Sequence, residues 1–281
     1  MVTDCHVHIV PLKLHRPELD ALLKQHPQYA QWERFCDSAK AFLEYLDSIA
    51  VERAMLVSTA APQVTGITQE QVNDFVTGYV KANPRRLLSS GGLDIQPGMK
   101  VEEEFGELLR RGIRMLKLHP PQQFFYPNAY RDGFRELETA YRMAESNGIP
   151  VMFHTGTSVF PAARNKYADP IYIDDLATDF PKLTVILAHG GRPLWMETAF
   201  FMVRNHPNMY LDISSIPPKR LLEYFPRLEE IAGKTMFGTD WPSPGVPEIS
   251  RNLAAFRALS LSAEAKETIC SKTALKIWPA V

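Results

Sequence analysis

The chain has 281 residues, a formal net charge of −1 and 45% hydrophobic residues. This length suits either two small domains or one barrel of about 250 residues. Near-zero net charge gives no electrostatic reason to expect nucleic acid or an anionic membrane as a partner, and no apolar run approaches the roughly 20 residues that cross a bilayer.

The N-terminus and the cysteines indicate the cellular setting. An acidic residue and two histidines stand where a secretory signal needs a basic start and an apolar stretch. The three cysteines, Cys5, Cys36 and Cys270, are widely scattered and form no CxxC pair. We therefore expect no disulfide framework and a reducing, cytoplasmic setting.

Eight short runs, most of them continuously apolar, have the pattern of strands that are buried on both faces. In chain order they are Thr3–His8, Arg53–Ser58, Leu87–Leu93, Ile113–His119, Pro150–Thr155, Leu183–His189, Met209–Ile213 and Thr235–Asp240.

Segments with apolar residues at helical spacing alternate with these runs. They are Ala39–Ala50, Thr68–Ala82, Val101–Arg111, Asp132–Asn147, Pro193–Asn205, Lys219–Ala232, Pro247–Leu259 and a C-terminal helix, Ser262–Ile277. Eight alternations without a linker predict an α/β fold, a single (β/α)8 TIM barrel that spans residues 1–281 as one domain. The polar, proline-punctuated stretch Pro11–Asp37 is predicted to be an elaborated first loop near the mouth of the site.

Side chains that can bind a metal ion occur at the ends of four predicted strands. His6 and His8 end the first, and His154, His189 and Asp240 end the fifth, sixth and eighth. The carboxyl ends of the strands in such a barrel meet at one mouth, so these side chains are expected to converge there. A single strand-end histidine is more often structural, but the ordered recurrence favours a metal site.

The alternation of side chains along a strand makes further predictions. His6 and His8 should point into the barrel with Asp4 below them, whereas Cys5 and Val7 should face the helices. On the fourth strand, Lys117 and His119 should share the inward face.

These residues belong to motifs that resemble the amidohydrolase superfamily, and most of all its branch of aminocarboxymuconate semialdehyde decarboxylase-like metal-dependent hydrolases. The motifs are Asp4-Cys5-His6-Val7-His8, Lys117-Leu118-His119-Pro120, His154-Thr155-Gly156, Ala188-His189-Gly190-Gly191 and Gly238-Thr239-Asp240-Trp241-Pro242. The resemblance covers essentially the whole chain. The set of motifs is specific for the superfamily, but not for one reaction within it.

The resemblance implies that His6, His8, His154 and Asp240 hold one divalent metal ion, with zinc favoured and manganese as the alternative. It implies no organic cofactor. His189 would lie beside the ion as a catalytic residue that hydrogen-bonds water or polarises a substrate carbonyl. Asp240 would also be catalytic, because it can orient water that the metal activates and accept its proton.

Lys117 admits several interpretations. In two-metal members of the superfamily a carboxylated lysine on the fourth strand bridges the ions, and Lys117 has that place. It could instead be an uncharged lysine near the metal, a cation for a substrate carboxylate, or a structural lysine paired with an acid such as Asp94. We favour the substrate cation, since the motifs resemble single-metal enzymes.

Other residues are weaker candidates for contact with a substrate. His119 and Trp241 are predicted to line the pocket or pack beside it, and Arg192 either binds a substrate carboxylate, caps a helix or pairs with an acid. Asp212 is expected only to bond loop backbone, and His15 to lie on the surface. His26 and His206 are also expected on the surface. The aromatic loop Phe124-Phe125-Tyr126-Pro127 is expected either to form a wall of the pocket or to pack over the barrel rim.

The sequence therefore predicts a metal-dependent hydrolase of a small lactone, amide or ester-like substrate, expected to bear a carboxylate, which acts through metal-activated water. The alternative is a metal-dependent non-oxidative decarboxylase of a small unsaturated or aromatic acid. A barrel that keeps the metal for structure or sensing is a third interpretation, which would leave His189 without a role. The partner is a small molecule rather than nucleic acid or a membrane, and the resemblance implies a homodimer as a common state.

Overall fold

Eight parallel strands form one sheet in the order β1 to β8 in the computed structural model, which describes residues 1–243 and 245–280. The strands are β1 (Thr3–Val7), β2 (Arg53–Leu56), β3 (Leu87–Gly92), β4 (Met115–Leu118), β5 (Val151–His154), β6 (Val185–Ala188), β7 (Met209–Asp212) and β8 (Thr235–Met236). The predicted (β/α)8 barrel is confirmed.

The barrel closes between β1 and the segment that follows β8. The backbone amide of Cys5 donates to the Phe237 carbonyl at 2.9 Å, and that of Asp240 donates to the His6 carbonyl at 2.8 Å. A parallel bridge then joins Val7 to Trp241. Strand β8 ends at Met236 rather than at the predicted Asp240, which has a left-handed backbone geometry (φ 65°) that no regular strand adopts.

Helices cover the outside of the sheet. They are α1 (Pro17–Leu23), α2 (Tyr29–Asp37), α3 (Ala39–Ser48), α4 (Gln69–Tyr79), α5 (Val101–Arg110), α6 (Pro120–Gln123), α7 (Arg135–Ser146), α8 (Asp174–Asp179), α9 (Met196–Asn205), α10 (Leu221–Tyr224), α11 (Ile249–Arg257), α12 (Ala263–Glu267) and α13 (Thr273–Ile277). Helices α1 and α2 form the predicted elaborated first loop. The predicted helix Lys219–Ala232 is instead a short α10 followed by a 3₁₀ helix, since Pro226 cannot continue an α-helix.

Apolar side chains form two layers, one inside the barrel and one between the strands and the helices. Inward residues such as Met115, Met152 and Met236 pack against Trp278 from the C-terminal segment, whereas Leu116, Phe153 and Leu187 pack outward against the helices. The methionines are flexible enough to fill an irregular interior. Within the described residues, no helix has the length and apolarity needed to traverse a bilayer.

One prediction about β1 is wrong. Cys5 does not face the helices: it packs inside the barrel with Met55 and Met236. The pairing of β1 with β2 shifts register between Asp4 and Val7. A bulge of this kind can place two successive side chains on one face, so Cys5 and His6 both reach the interior.

Candidate metal centre and active site

Five side chains converge at the carboxyl end of the barrel, as the sequence predicted for its strand ends. Nε2 of His8 lies 3.0 Å from Oδ1 of Asp240, and Nε2 of His6 lies 3.4 Å from the same oxygen. A ring nitrogen of His6, a ring nitrogen of His189 and a carboxylate oxygen of Asp240 all lie within 4.8 Å of one another. The rings of His154 and His189 are neighbours, with centroids 4.7 Å apart.

Hydrogen bonds at the far side of two rings fix which nitrogen faces Asp240. Nδ1 of His6 lies 2.6 Å from a carboxylate oxygen of Asp212, and Nδ1 of His8 lies 2.8 Å from the Val57 carbonyl. Both partners accept hydrogen bonds, so both Nδ1 atoms carry the proton in the neutral ring. The Nε2 lone pairs of His6 and His8 therefore point at an oxygen that is itself an acceptor.

This convergence of acceptors fits a metal ion. Two lone pairs and a carboxylate oxygen at 3.0–3.4 Å repel one another unless a cation lies between them. Ligands bound at about 2.0–2.1 Å in a tetrahedral array are about 3.3–3.4 Å apart, which is close to these separations. Nε2 of His6 and of His154 are also buried without a hydrogen-bond partner in the described part of the chain.

The electrostatics of the site keep the donors in the form that binds a cation. Burial lowers the pKa of His6 from its ordinary value, and it lowers the pKa of His154 and His189 much further. Burial alone would raise the pKa of Asp240, but the imidazoles of His189, His8 and His6 outweigh it and hold that pKa well below its usual range. Burial thus favours the neutral imidazoles, and positive charge beside Asp240 favours the ionised carboxylate, a charge that a bound cation would supply once the rings are neutral.

The backbone at two of these residues is unusual. Both His189 and Asp240 adopt left-handed conformations, with φ of 64° and 65°. Aspartate and histidine tolerate this region better than most residues, yet it costs energy that the surroundings must offset. Both side chains line the barrel mouth, His189 directly after β6 and Asp240 four residues after β8 ends.

A cavity of about 170 Å³ opens onto the centre. His6, His8, His154, His189 and Asp240 line it together with three of the predicted substrate-binding residues, namely Lys117, His119 and Arg192. His119 stacks on His154 with ring centroids 3.8 Å apart.

Lys117 makes no salt bridge with Asp94. Its Nζ is buried and has no hydrogen-bond partner among the residues that the structure describes. Burial lowers its pKa to about 8, against the opposing attraction of Asp212 and Asp240. Asp94 instead accepts hydrogen bonds from Gln63 and Gln96.

Arg192 is held by neutral groups. Its guanidinium donates to the carbonyl oxygens of Ser215 and Thr157 at 2.9 and 3.0 Å and to the Ser215 hydroxyl at 2.6 Å. These bonds tie two loops together and leave the positive charge unneutralised by any direct acidic partner in the described chain. Arg192 thus links the loops that contain Thr157 and Ser215, and it contributes positive potential to the cavity.

Trp241 lies outside the cavity wall. Its indole nitrogen donates to Gln28 at 2.8 Å, and its ring packs on Phe35 and His26. It is absent from the described residues that line the cavity, so the geometry gives no support to a substrate contact. It anchors the first loop to the segment after β8.

The first loop contributes more to the cavity than the sequence indicated. His15, predicted to lie on the surface, lines the cavity with Trp32 and Leu23. The apolar residues of this otherwise polar loop were the available signal. The aromatic loop after β4 packs elsewhere, since Phe125 meets Phe134 and Tyr126 meets Tyr167 and Tyr172.

Asp212 was also misjudged. It was expected only to bond loop backbone, and it does accept from the Ser214 amide at 2.8 Å. It also binds the His6 ring and the Ser214 hydroxyl. Its position at the end of β7, on the inward face, was the signal that could have revealed this.

A family model described as Amidohydrolase matches residues 3–280. The chain belongs to the amidohydrolase family. Members of this family generally use a divalent metal ion, in agreement with the cluster of His6, His189 and Asp240. A search of curated proteins found no match.

Solved structures share the fold of this amidohydrolase. An uncharacterised TIM-barrel protein from Bordetella bronchiseptica is 23% identical, with a TM-score of 0.76 and 98% of both chains covered. The 5-carboxyvanillate decarboxylase of Sphingomonas paucimobilis is 17% identical, with a TM-score of 0.65 and coverage of 100% and 99%. A putative 2-pyrone-4,6-dicarboxylic acid hydrolase from Pseudomonas putida is 17% identical, with a TM-score of 0.66 and coverage of 98% and 96%.

Proposed function

We propose that this amidohydrolase is a metal-dependent hydrolase of a small lactone, amide or ester-like substrate that carries a carboxylate. The observation that carries the proposal is the convergence of the His6 and His8 lone pairs on ionised Asp240, at the inner end of a cavity that also holds two cationic side chains. In this proposal His6, His8, His154 and Asp240 hold the ion, with zinc favoured over manganese.

A bound divalent ion would supply Lewis acidity, which makes water acidic enough to react near neutral pH. The protein's own residues then handle the protons. Asp240 orients the attacking water and accepts one of its protons. As water oxygen bonds to the acyl carbon, the bond to the leaving oxygen or nitrogen breaks, and the same proton passes to that leaving atom through Asp240 or His189.

His189 is placed for such a transfer. Its Nδ1 lies 3.1 Å from the Ser214 carbonyl, an acceptor, so the neutral ring keeps its proton there. The Nε2 lone pair is left to accept a proton from the site or to return it to a leaving group. The low pKa that burial gives this ring makes the imidazolium a strong donor once it forms.

Charge supports a substrate with a carboxylate. The carboxylates of Asp212 and Asp240 are balanced by Lys117 and Arg192, so a divalent ion would leave the site with a net positive charge. Lys117 lacks a hydrogen-bond partner among the described residues, and a substrate carboxylate would provide one. Burying a charge without a partner is costly, which favours this role over a purely structural one.

The apolar part of the cavity lining favours an apolar body for the substrate. Val10, Leu23, Ile67, Val72 and Phe160 form it, and the cavity volume of about 170 Å³ limits the size. A compact molecule with a carboxylate and an unsaturated or aromatic body matches a lining that combines cationic and apolar side chains.

A non-oxidative decarboxylase is the second candidate, and Lys117 is the observation that favours it. An ammonium with a pKa of about 8 can seat a carboxylate and also give up a proton near neutral pH. Loss of carbon dioxide leaves an electron pair on carbon, which needs that proton. The decarboxylase structure from Sphingomonas paucimobilis shows only that this fold can carry such a reaction.

The test combines metal analysis with a matched substrate screen. We expect close to one divalent ion per chain, and hydrolysis of a carboxylate-bearing lactone, amide or ester in preference to its neutral methyl ester. Asp240→Ala should abolish both metal and activity. Asp94→Ala, which removes a carboxylate from the same rim outside the metal centre, should keep both.

Release of carbon dioxide without hydrolysis would replace the first candidate with the second. Full metal content in Asp240→Ala would refute the ligand assignment. Equal rates for the carboxylate and its methyl ester would refute the role proposed for the cations.

A further inference from the structure

The carboxylate of Asp212 accepts hydrogen bonds from four donors. It ends β7 and is fully buried. Its Oδ2 lies 2.6 Å from Nδ1 of His6 and 2.7 Å from the Ser214 hydroxyl. Its Oδ1 accepts from the Ser214 amide at 2.8 Å and from the Cys5 thiol at 3.4 Å. Four donors therefore converge on one carboxylate.

Ser214 extends this set of bonds to His189. Because the Ser214 hydroxyl donates its proton to Asp212, its oxygen is free to accept, and Nδ1 of His189 lies 2.9 Å from it. The Ser214 carbonyl accepts from the same nitrogen at 3.1 Å. Nδ1 of His189 must then carry a proton, as Nδ1 of His6 does.

We propose that Asp212 and Ser214 are positioning residues that hold His6 and His189 in the tautomer with the proton on Nδ1. The Nε2 lone pair of His6 is thereby directed toward Asp240, and Nε2 of His189 keeps its lone pair. The proposal rests on the metal-dependent function proposed above, and it gives a role to two residues that touch neither metal nor substrate. Carboxylates that orient ligand histidines in this way commonly change metal affinity 10–100-fold.

An aspartate is needed here because an amide cannot satisfy all four donors. If Asp212→Asn placed its side-chain oxygen toward His6 and the Ser214 hydroxyl, its NH₂ would oppose the Ser214 amide and lose that bond. If the side chain flipped, the NH₂ would face Nδ1 of His6 and stabilise the other tautomer, whose Nε2 has no free lone pair. Either outcome weakens metal binding.

The first test is the dissociation constant for Zn²⁺, measured on the full chain by competition with a chromophoric chelator. Asp212→Asn should weaken Zn²⁺ binding about 10–100-fold. Ser214→Ala should weaken it by about threefold or less, since His6 keeps its direct bond to Asp212. Ser90→Ala is the matched control, because it removes another buried serine hydroxyl of the barrel, one that bonds Ser58, and it should leave the affinity unchanged.

The double variant tests whether Ser214 acts through Asp212. Asp212→Asn combined with Ser214→Ala should bind Zn²⁺ no more weakly than Asp212→Asn alone, because the serine has lost the acceptor that orients it. Fully additive effects would overturn the linkage between the two residues. A folded Asp212→Asn protein with unchanged Zn²⁺ affinity would overturn the role of Asp212.

The tautomers themselves can be observed in the unaltered chain. In the metal-free protein labelled with ¹⁵N-histidine, the ring nitrogens of His6 and His189 should show a protonated Nδ1 and a bare Nε2. A protonated Nε2 in either ring would overturn the proposal. If the unaltered chain bound no Zn²⁺ at all, the proposed metal-dependent function would fail, whereas the tautomers would still decide the positioning role.

Discussion

Replacing Lys117 with methionine should stabilise the metal-free protein at neutral pH. The buried ammonium has no hydrogen-bond partner within the described chain, and its pKa falls from 10.5 to about 8. Each pKa unit corresponds to about 1.4 kcal/mol, so burial of the charged form costs about 3 kcal/mol. Methionine has a similar length and no charge, and we expect a gain of about 2–3 kcal/mol at pH 7.

The pH dependence of this gain follows from the sign of the shift. The unfolded chain keeps the lysine proton up to about pH 10.5, whereas the folded protein releases it near pH 8. Between these values the unfolded state binds more protons, so the unaltered protein becomes more stable as pH rises. Between pH 7 and pH 9.5 the change amounts to about 2 kcal/mol, so the advantage of Lys117→Met should shrink to about 1 kcal/mol or less at pH 9.5.

Urea unfolding at pH 7 and pH 9.5, with a chelator present, measures both quantities. Lys100→Met is the control, since Lys100 lies exposed beside Glu103 and its replacement should change stability by less than about 0.5 kcal/mol at either pH. A Lys117→Met protein that is less stable at pH 7, or a gain that does not depend on pH, would refute the reasoning.

Two further predictions concern the metal centre. His154→Asn should lose Zn²⁺, whereas His189→Asn should keep it and lose activity about a hundredfold or more; the reverse pattern in elemental analysis would exchange their roles. Gly238→Ala should destabilise the protein by about 1–3 kcal/mol and weaken Zn²⁺ binding, because a Cβ there would lie 2.5 Å from Oδ1 of Asp212 and 3.0 Å from Cβ of His6. Thermal unfolding measures the stability, and chelator competition measures the Zn²⁺ affinity. Gly233→Ala is the control, and it should change neither quantity because its Cβ would meet nothing within 4 Å.

The parts of the fold that depend on local pattern were predictable. Buried parallel strands give continuous apolar runs, so all eight strands were predicted. Their carboxyl ends lie one to four residues earlier than predicted. The ligand-type residues followed because strand ends of a barrel must meet at one mouth. Periodicity alone predicted one helix over Lys219–Ala232, and this was wrong because Pro226 interrupts the pattern after α10.

The remainder depends on tertiary geometry that no local pattern contains. The bulge that turns Cys5 inward arises from the pairing of β1 with β2. The bonds from Asp212 to His6 span more than two hundred residues and depend on Gly238 leaving room between β8 and β7. The sequence placed the first loop near the mouth, but that its His15 reaches the cavity depends on how α1 and α2 pack there, which no local pattern contains.

The charge on Lys117 also predicts how tightly the metal should bind. An ammonium lining the same cavity as His6 and Asp240 repels a divalent ion, but Lys117 can escape that repulsion by losing its proton. With a pKa of about 8, deprotonation at pH 7 costs about 1.4 kcal/mol, so the repulsion can weaken binding by at most about tenfold. Lys117→Met should therefore bind Zn²⁺ up to about tenfold more tightly at pH 7 and no more tightly at pH 9.

Chelator competition at the two pH values distinguishes this from the carboxylated form. A carboxylated Lys117 would be a ligand, so its replacement would weaken binding, lower the stoichiometry from two ions to one, and remove any dependence on bicarbonate. Lys100→Met should leave the affinity unchanged at both pH values. Tighter binding that disappears as pH rises past 8 is a signature that only a cationic, unligated lysine can produce, because it requires a proton that competes with the metal.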